Sequence, residues 1–273
     1  MTLIMALVWG LGVVVTADTR ATAGPIYGEE RKIYPIYLNV GDEELDLAVV
    51  AGAGDSALIK QGVQLIRRVY IEWSKELGNE VRNPTEDESL RIVERIERAL
   101  IERYALLRNV GINPSVEILL ATVTHEGKPL LYVFDSRGIA NPMHEVPGYA
   151  ILGAGRITGA QLLLSLLGYD PERAASWDHS VFPVFVIDMV SQVDPTVSSF
   201  TDPQSSVYIR YDVKARKVVM GPMKIESFKE AKEAVGKRVK AIRKLWELME
   251  IASEDEVLGY LEELMKKYTK RVR

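Results

Sequence analysis

The sequence predicts an α+β fold: a four-layer αββα sandwich, two β-sheets face to face between outer helices, with a helical extension at the C-terminal end. Three observations predict it. Apolar, β-rich runs and helical stretches follow the order strands, two helices, strands, two helices, strands. With 273 residues, 47% of them apolar, the chain suits one large domain, or one domain with an appendage. Residues 226–273 lie beyond the last strand that such a core needs and form a charged segment whose apolar positions recur at helical spacing, so the expected division is a domain over 1–225 and an extension over 226–273.

The elements follow in order. Residues 3–9 and 13–18 read as two strands about a turn at Gly10-Leu11-Gly12. Arg20 to Arg31 reads as a loop holding Gly24, Pro25 and Gly28, followed by a short strand from Lys32 to Tyr37. Leu45 to Ala51 is a buried-strand run ending at Gly52 and Gly54. A helix from Ser56 to Ser74 places Leu58, Gly62, Leu65, Val69 and Trp73 on one face. After Asn83-Pro84, Thr85 and Glu88 form a capping-box pattern opening a second helix, whose stripe is Val93, Ile96, Leu100, Tyr104 and Leu107. Glu117–His125 and Leu130–Phe134 read as a hairpin turning at Glu126-Gly127-Lys128, and Tyr149–Leu152 as a strand ending in Gly153-Ala154-Gly155. Helices are expected from Thr158 to Leu167 and from Pro171 to about Gln192, then a hairpin of Val207–Asp212 and Lys217–Met220. In the tail, Ser253 and Glu256 cap the second of two helices.

Composition excludes several classes of chemistry. Without Cys there are no disulfides, thiolate metal sites or Cys nucleophiles. The three histidines, His125, His144 and His179, lack metal-ligand spacing, so no metal or other cofactor is expected. A formal net charge of −4, with both signs spread along the chain, gives no nucleic-acid footprint. Gly153-Ala154-Gly155 resembles a dinucleotide-binding turn, but Gly159 falls one position too late for G-x-G-x-x-G and no βαβ pattern surrounds it. Met1 to Ala17 is apolar, yet no Lys or Arg precedes the run, two glycines break it, and it is short for a bilayer span. A cytoplasmic protein without a membrane partner is expected.

One set of residues carries a resemblance. Thr2-Leu3-Ile4, then Gly12 to Ala17 followed by Asp18-Thr19-Arg20-Ala21-Thr22, resembles the opening of a mature proteasome β subunit: an N-terminal Thr, two apolar strands and Asp-x-Arg-x-Thr. Arg31-Lys32-Ile33-Tyr34 is similar to the family's Lys before an apolar pair. Ala51-Gly52-Ala53-Gly54-Asp55 is similar to the segment opening its first helix, and Tyr149 to Gly159 to the strand and glycine-rich turn before its third. The likeness spans residues 2–222. It implies the N-terminal-nucleophile hydrolase fold, an archaeal or bacterial relative, a peptide or protein substrate and a homo-oligomer.

The chemistry has its own logic. A Thr hydroxyl needs a base to take its proton. An N-terminal Thr supplies one, because a free α-amine has a pKa of about 7.7–8.0, near working pH. A nearby ammonium would favour the alkoxide, and a carboxylate beside it would hold it in place. The resemblance assigns these roles to Thr2, once Met1 is removed, to Lys32 and to Asp18, with the Gly52 N–H as oxyanion donor and Asp194 and Ser198 as supporting partners. Ala21 and Thr22 would pair with an extended peptide, and Ala21, Val50 and Ala53 would line a roomy first specificity pocket. Arg20 stands beside the site. The expected activity is that of a threonine-type peptidase or amidohydrolase working through an acyl ester, resolved by water or, in transpeptidation, by an amine.

Departures from the pattern support an alternative, a non-catalytic assembly or binding subunit. Ala154 stands where active β subunits carry Ser and has no hydroxyl to support the amine. The loop from Thr22 to Lys32 is two residues short and the Ala51–Asp55 segment one short. The family's Asp-x-x-Ser is only loosely matched by Asp194 and Ser198.

Overall fold

A computed structural model of the chain describes residues 2–23, 26–40, 43–78, 80, 82–169 and 179–269. The described residues form an α+β structure of two five-stranded antiparallel sheets and six α-helices. In the first sheet β1 (Ile4–Trp9) lies between β10 (Tyr149–Leu152) and β2 (Gly12–Ala17), and β2 in turn pairs with β11 (Ser206–Asp212), whose other neighbour is β12 (Lys217–Pro222). The second sheet runs in chain order: β5 (Ile33–Val40), β6 (Glu43–Gly54), β7 (Val116–Val123), β8 (Pro129–Phe134) and β9 (Ala140–Pro142). A separate hairpin of β3 (Arg20–Ala23) and β4 (Ile26–Glu29) replaces the expected loop between Arg20 and Arg31.

Period-2 alternation sorts the strand residues into different cores. Ile4, Ala6, Val8, Val13, Val15 and Ala17 of the first sheet share one cluster with Ile33, Val49, Ala51, Leu119 and Leu131 of the second. The intervening residues of β1 and β2, among them Met5, Leu7 and Val14, pack instead with Leu164 of α3 (Gln161–Leu166), Phe182 and Phe185 of α4 (Val181–Ser191), and Ala231 and Val235 of α5 (Ile225–Met249). On the second sheet, Ala48, Val50, Ile118 and Leu120 pack with Ile59, Ile66 and Tyr70 of α1 (Ser56–Glu76) and Ile92, Ile96 and Leu100 of α2 (Glu86–Asn109). The sixth helix, α6, spans Glu254–Thr269.

Helix starts follow local hydrogen-bonding demand. Asp55 accepts from the N–H groups of Ala57 and Leu58, closing the first turn of α1. Gly54, just before it, has φ +110°, and a Cβ there would lie 2.1 Å from the Ser115 carbonyl oxygen, so the strand-to-helix turn requires glycine. The expected helix from Thr158 begins two residues earlier as a π turn, Arg156–Ala160, that runs into α3. The first described helical residue of the expected helix from Pro171 is Val181; Pro171 itself lies outside the described residues.

The capping box of α2 is complete. The Thr85 hydroxyl accepts from the Glu88 N–H at 3.3 Å, and Glu88 Oε2 accepts from the Thr85 N–H at 2.8 Å. Arg82 grips the same carboxylate bidentately, at 2.6 and 2.9 Å. That guanidinium, against the opposing effect of burial, holds the Glu88 carboxyl down at about 2. A depressed carboxyl contributes its stability above the ordinary value of 4.5 and loses it as pH falls toward 2. Thr85→Ala is expected to cost about 1 kcal/mol in urea unfolding at neutral pH. Glu88→Gln should flatten the acid limb of the stability curve, so that variant and wild type converge as the pH is lowered.

Candidate active site

The end of β2 delivers Asp18 into a buried position, 1% exposed, where its carboxylate accepts four hydrogen bonds from four parts of the chain. Oδ1 takes the Leu3 N–H at 2.8 Å and Lys32 Nζ at 2.6 Å. Oδ2 takes the N–H of Ser198 at 3.1 Å and of Arg20 at 3.2 Å. The backbone reciprocates, the Asp18 N–H donating to the Leu3 carbonyl at 3.0 Å. Lys32, just before β5, is itself 8% exposed. Burial lowers its pKa, and the Asp18 carboxylate opposes that shift. A cation and its counter-ion are thus held out of water one residue from Thr2.

Thr2 precedes β1 and is half-buried. Its carbonyl accepts from the Gly155 N–H at 3.3 Å. Gly153, with φ +86°, approaches so closely that a Cβ would stand 2.1 Å from the Thr2 carbonyl oxygen. The turn Gly153-Ala154-Gly155 therefore wraps the Thr2 backbone. Met1 lies outside the described residues.

Asp194 and Ser198 sit in the segment after α4 but are not bonded to each other. Ser198 Oγ accepts from the N–H groups of Thr19 at 3.1 Å and Arg20 at 3.2 Å. Asp194 takes Thr158 Oγ1 at 2.7 Å and both the N–H and hydroxyl of Thr196, at 2.9 and 2.5 Å. Burial raises the pKa of Asp194; the bonds from Thr196 and Thr158 outweigh it, and the carboxyl stands below its usual range. Arg20 donates from its guanidinium to the Pro195 carbonyl, tying the same segment to β3. Thr158 and Thr19 were not singled out from sequence. For Thr19 the only signal was its place inside Asp18-Thr19-Arg20, and Thr158 offered just its position after the glycine turn.

The remaining candidates do not share one surface. Continuing the β5–β6 register, in which Ile33 faces Ala51, sets Lys32 opposite Gly52. A Cβ at Gly52 would lie 2.7 Å from the Ile59 side chain, so packing of α1 by itself accounts for glycine there. Val50 is fully buried among residues of α1 and α2, whereas Ala53 faces the inter-sheet core. Ala21 and Thr22 belong to β3 by their backbone, and their side chains lie outside the described residues. No group of three or more His, Asp or Glu among the described residues is placed to hold a metal ion. No described helix is long and apolar enough to cross a membrane.

No protein-family model and no curated protein matches the chain. Solved structures do. Anbu from Hyphomicrobium sp. strain MC1 matches with TM-score 0.61 at 17% identity, covering 89% of this chain and 97% of that one. Its Gly-1 mutant matches at 0.60 and 17%, and Anbu from Yersinia bercovieri, described as an ancestral beta-subunit, at 0.59 and 15%, with the same coverage. At such identity the likeness establishes the fold. It also corrects the expected membership of the proteasome β-subunit family: the fold neighbours are Anbu proteins, a related but distinct family. One of the short motif likenesses, Ala51–Asp55, follows from local demands, a turn at Gly54 and a helix cap at Asp55, that a distinct family with this fold meets equally.

The pairing at Asp18 is asymmetric. Loss of Lys32 leaves the carboxylate three backbone donors, whereas Asp18 is the one hydrogen-bond acceptor of Lys32 Nζ among the described residues. Asp18→Asn is therefore expected to cost about 3–5 kcal/mol, since it strands a buried ammonium. Lys32→Met should cost less, and adding it to Asp18→Asn should recover part of the loss. Urea unfolding of the three variants checks this; an Asp18→Asn protein as stable as Lys32→Met would refute the asymmetry.

Proposed function

We propose that this chain is a threonine-type amide hydrolase acting on peptides, with Thr2 as nucleophile after the chain is cut before it. The observation that carries the reading is the buried Asp18–Lys32 pair, whose carboxylate also holds the N–H of Leu3, the residue next to Thr2. In this mechanism the freed Thr2 amine takes the hydroxyl proton as Oγ attacks the substrate carbonyl. The Lys32 charge stabilises the developing alkoxide, and the Gly52 N–H is the candidate donor to the oxyanion. The amine then returns the proton to the leaving nitrogen, and water or a second amine resolves the acyl ester. Ser198 fixes the backbone at Thr19 and Arg20, keeping Asp18 aimed at Lys32. Asp194 and Thr158 brace the turn that encloses the Thr2 carbonyl.

The αββα layer order belongs to the same reading, since three apolar clusters separate helices, sheet, sheet and helices. So does the division into a domain over 1–225 and a helical extension over 226–273. A fold shared with a protein described as an ancestral beta-subunit agrees with it. One observation favours a second reading, a non-catalytic subunit. Ala154, in the turn around Thr2, offers no hydroxyl to the amine.

Intact mass after exposure to a peptide epoxyketone separates the two readings. Protein whose first residue is verified as Thr2 should gain one inhibitor mass, and Thr2→Ala should gain none while keeping its melting temperature. Lys32→Ala should slow labelling by about 100-fold or more. A free Thr2 that stays unlabelled would establish the non-catalytic reading.

A further inference from the structure

A cavity of about 390 Å³ opens on the helical side of the first sheet, where the starts of α4 and α5 meet β2 and β11. Small-molecule sites span roughly 300–1,000 Å³. Trp9 lines it from the opposite end of β1 to Thr2, on the order of 20 Å away at strand spacing. The walls are apolar and aromatic. Val14 and Met223 are buried there, and Trp9 stacks on His179 with ring centroids 4.8 Å apart. The Arg210 guanidinium stands 5.8 Å from the centroid of the Tyr208 ring.

The floor holds a buried donor. The hydroxyls of Thr16 and Ser206, 0% and 2% exposed, bond each other at 2.9 Å. One bond uses one of the two hydroxyl protons. The other proton has no acceptor among the described residues, and of the two side chains it is Ser206 that lines the cavity. A buried donor of this kind calls for an acceptor from outside the chain. The Met223 N–H donates to the Ser206 carbonyl at 2.8 Å and so ties the start of α5 to this floor.

The charges around it have one sign. Arg210, Lys224 and Ser227 also line the cavity, and no carboxylate does. Lys224 forms no ion pair among the described residues. Asp212, 3.8 Å from Arg210, already accepts the N–H groups of Lys214 and Ala215. No side chain caps the N-terminus of α5, which adds unpaired N–H groups beside Ser227.

We propose that this cavity binds a small aryl carboxylate, its anionic end toward Ser206, Arg210 and Lys224 and its ring against Trp9 and Met223. A bare inorganic anion would leave the apolar walls unfilled, and a neutral arene would leave the donors unmet. A carboxylate also matches the planar fork of Arg210. The site does not depend on the chemistry proposed for Thr2.

Titration calorimetry on the full chain tests it, with N-acetylphenylalanine, N-acetylphenylalaninamide and inorganic phosphate. The acid should bind about tenfold or more tightly than its amide. Arg210→Gln and Lys224→Gln should each weaken the acid about fivefold or more, leave the amide unchanged, and keep the circular dichroism of wild type. Lys267→Gln, on α6, should bind as wild type does. Ser206→Ala should also weaken the acid; if that protein does not fold, the two cation variants decide. A wild type that binds no acid overturns the proposal. So does an amide or phosphate that binds as tightly as the acid, or unchanged affinity in both cation variants.

Discussion

Everything around the candidate site depends on one carboxylate. Asp18 binds the start of β1 through Leu3, the start of β3 through Arg20, the approach to β5 through Lys32, and the segment after α4 through Ser198. A carboxylate has about four acceptor positions, and all four are used. Burying an ion pair carries a desolvation cost that the Coulomb attraction alone does not reliably offset. The three backbone donors supply the balance, and in doing so they fix the geometry of the pair relative to Thr2.

The sheets explain why both faces of the central strands are apolar. Every residue of β2 is buried, because the strand meets the second sheet on one side and α4 on the other. The same enclosure limited what could be read from sequence. Helices α1 and α2 were legible because each keeps a polar face, and the Thr85 capping box came out to the residue. On β6 both faces are apolar, so alternation gives no contrast, and nothing in the sequence told that Val50 points toward α1 while Val49 and Ala51 point between the sheets.

Short elements escaped for a different reason. β3, β4 and β9 span four residues or fewer, below the length at which periodicity can be counted. At the site, Asp18 and Lys32 were named by the family resemblance, since local pattern alone reads them as a turn residue and an exposed strand residue. The pairing of Asp194 with Thr158 was not legible, because it spans 36 positions that only the folded chain closes. The family likeness failed at a similar point: one of its matching segments, Ala51–Asp55, is what a turn and a cap dictate, while Ala154 and the Asp194–Ser198 spacing already departed from it.

The central place of β2 in its sheet has a consequence for how the molecule comes into being on the ribosome. Its partner on one side, β1, is made within the same few residues, but its partner on the other, β11, begins at Ser206. The Thr16–Ser206 hydroxyl contact and the Ser198 bond to Asp18 both bridge more than 170 positions of sequence. Loop closure over such separations comes late in folding. A nascent chain therefore carries Thr2, Asp18 and Lys32 early, while the Ser198 bond to Asp18 waits until the last third has emerged. Truncated translation products hold Asp18 and Lys32 without the Ser198 donor or the β11 pairing of β2.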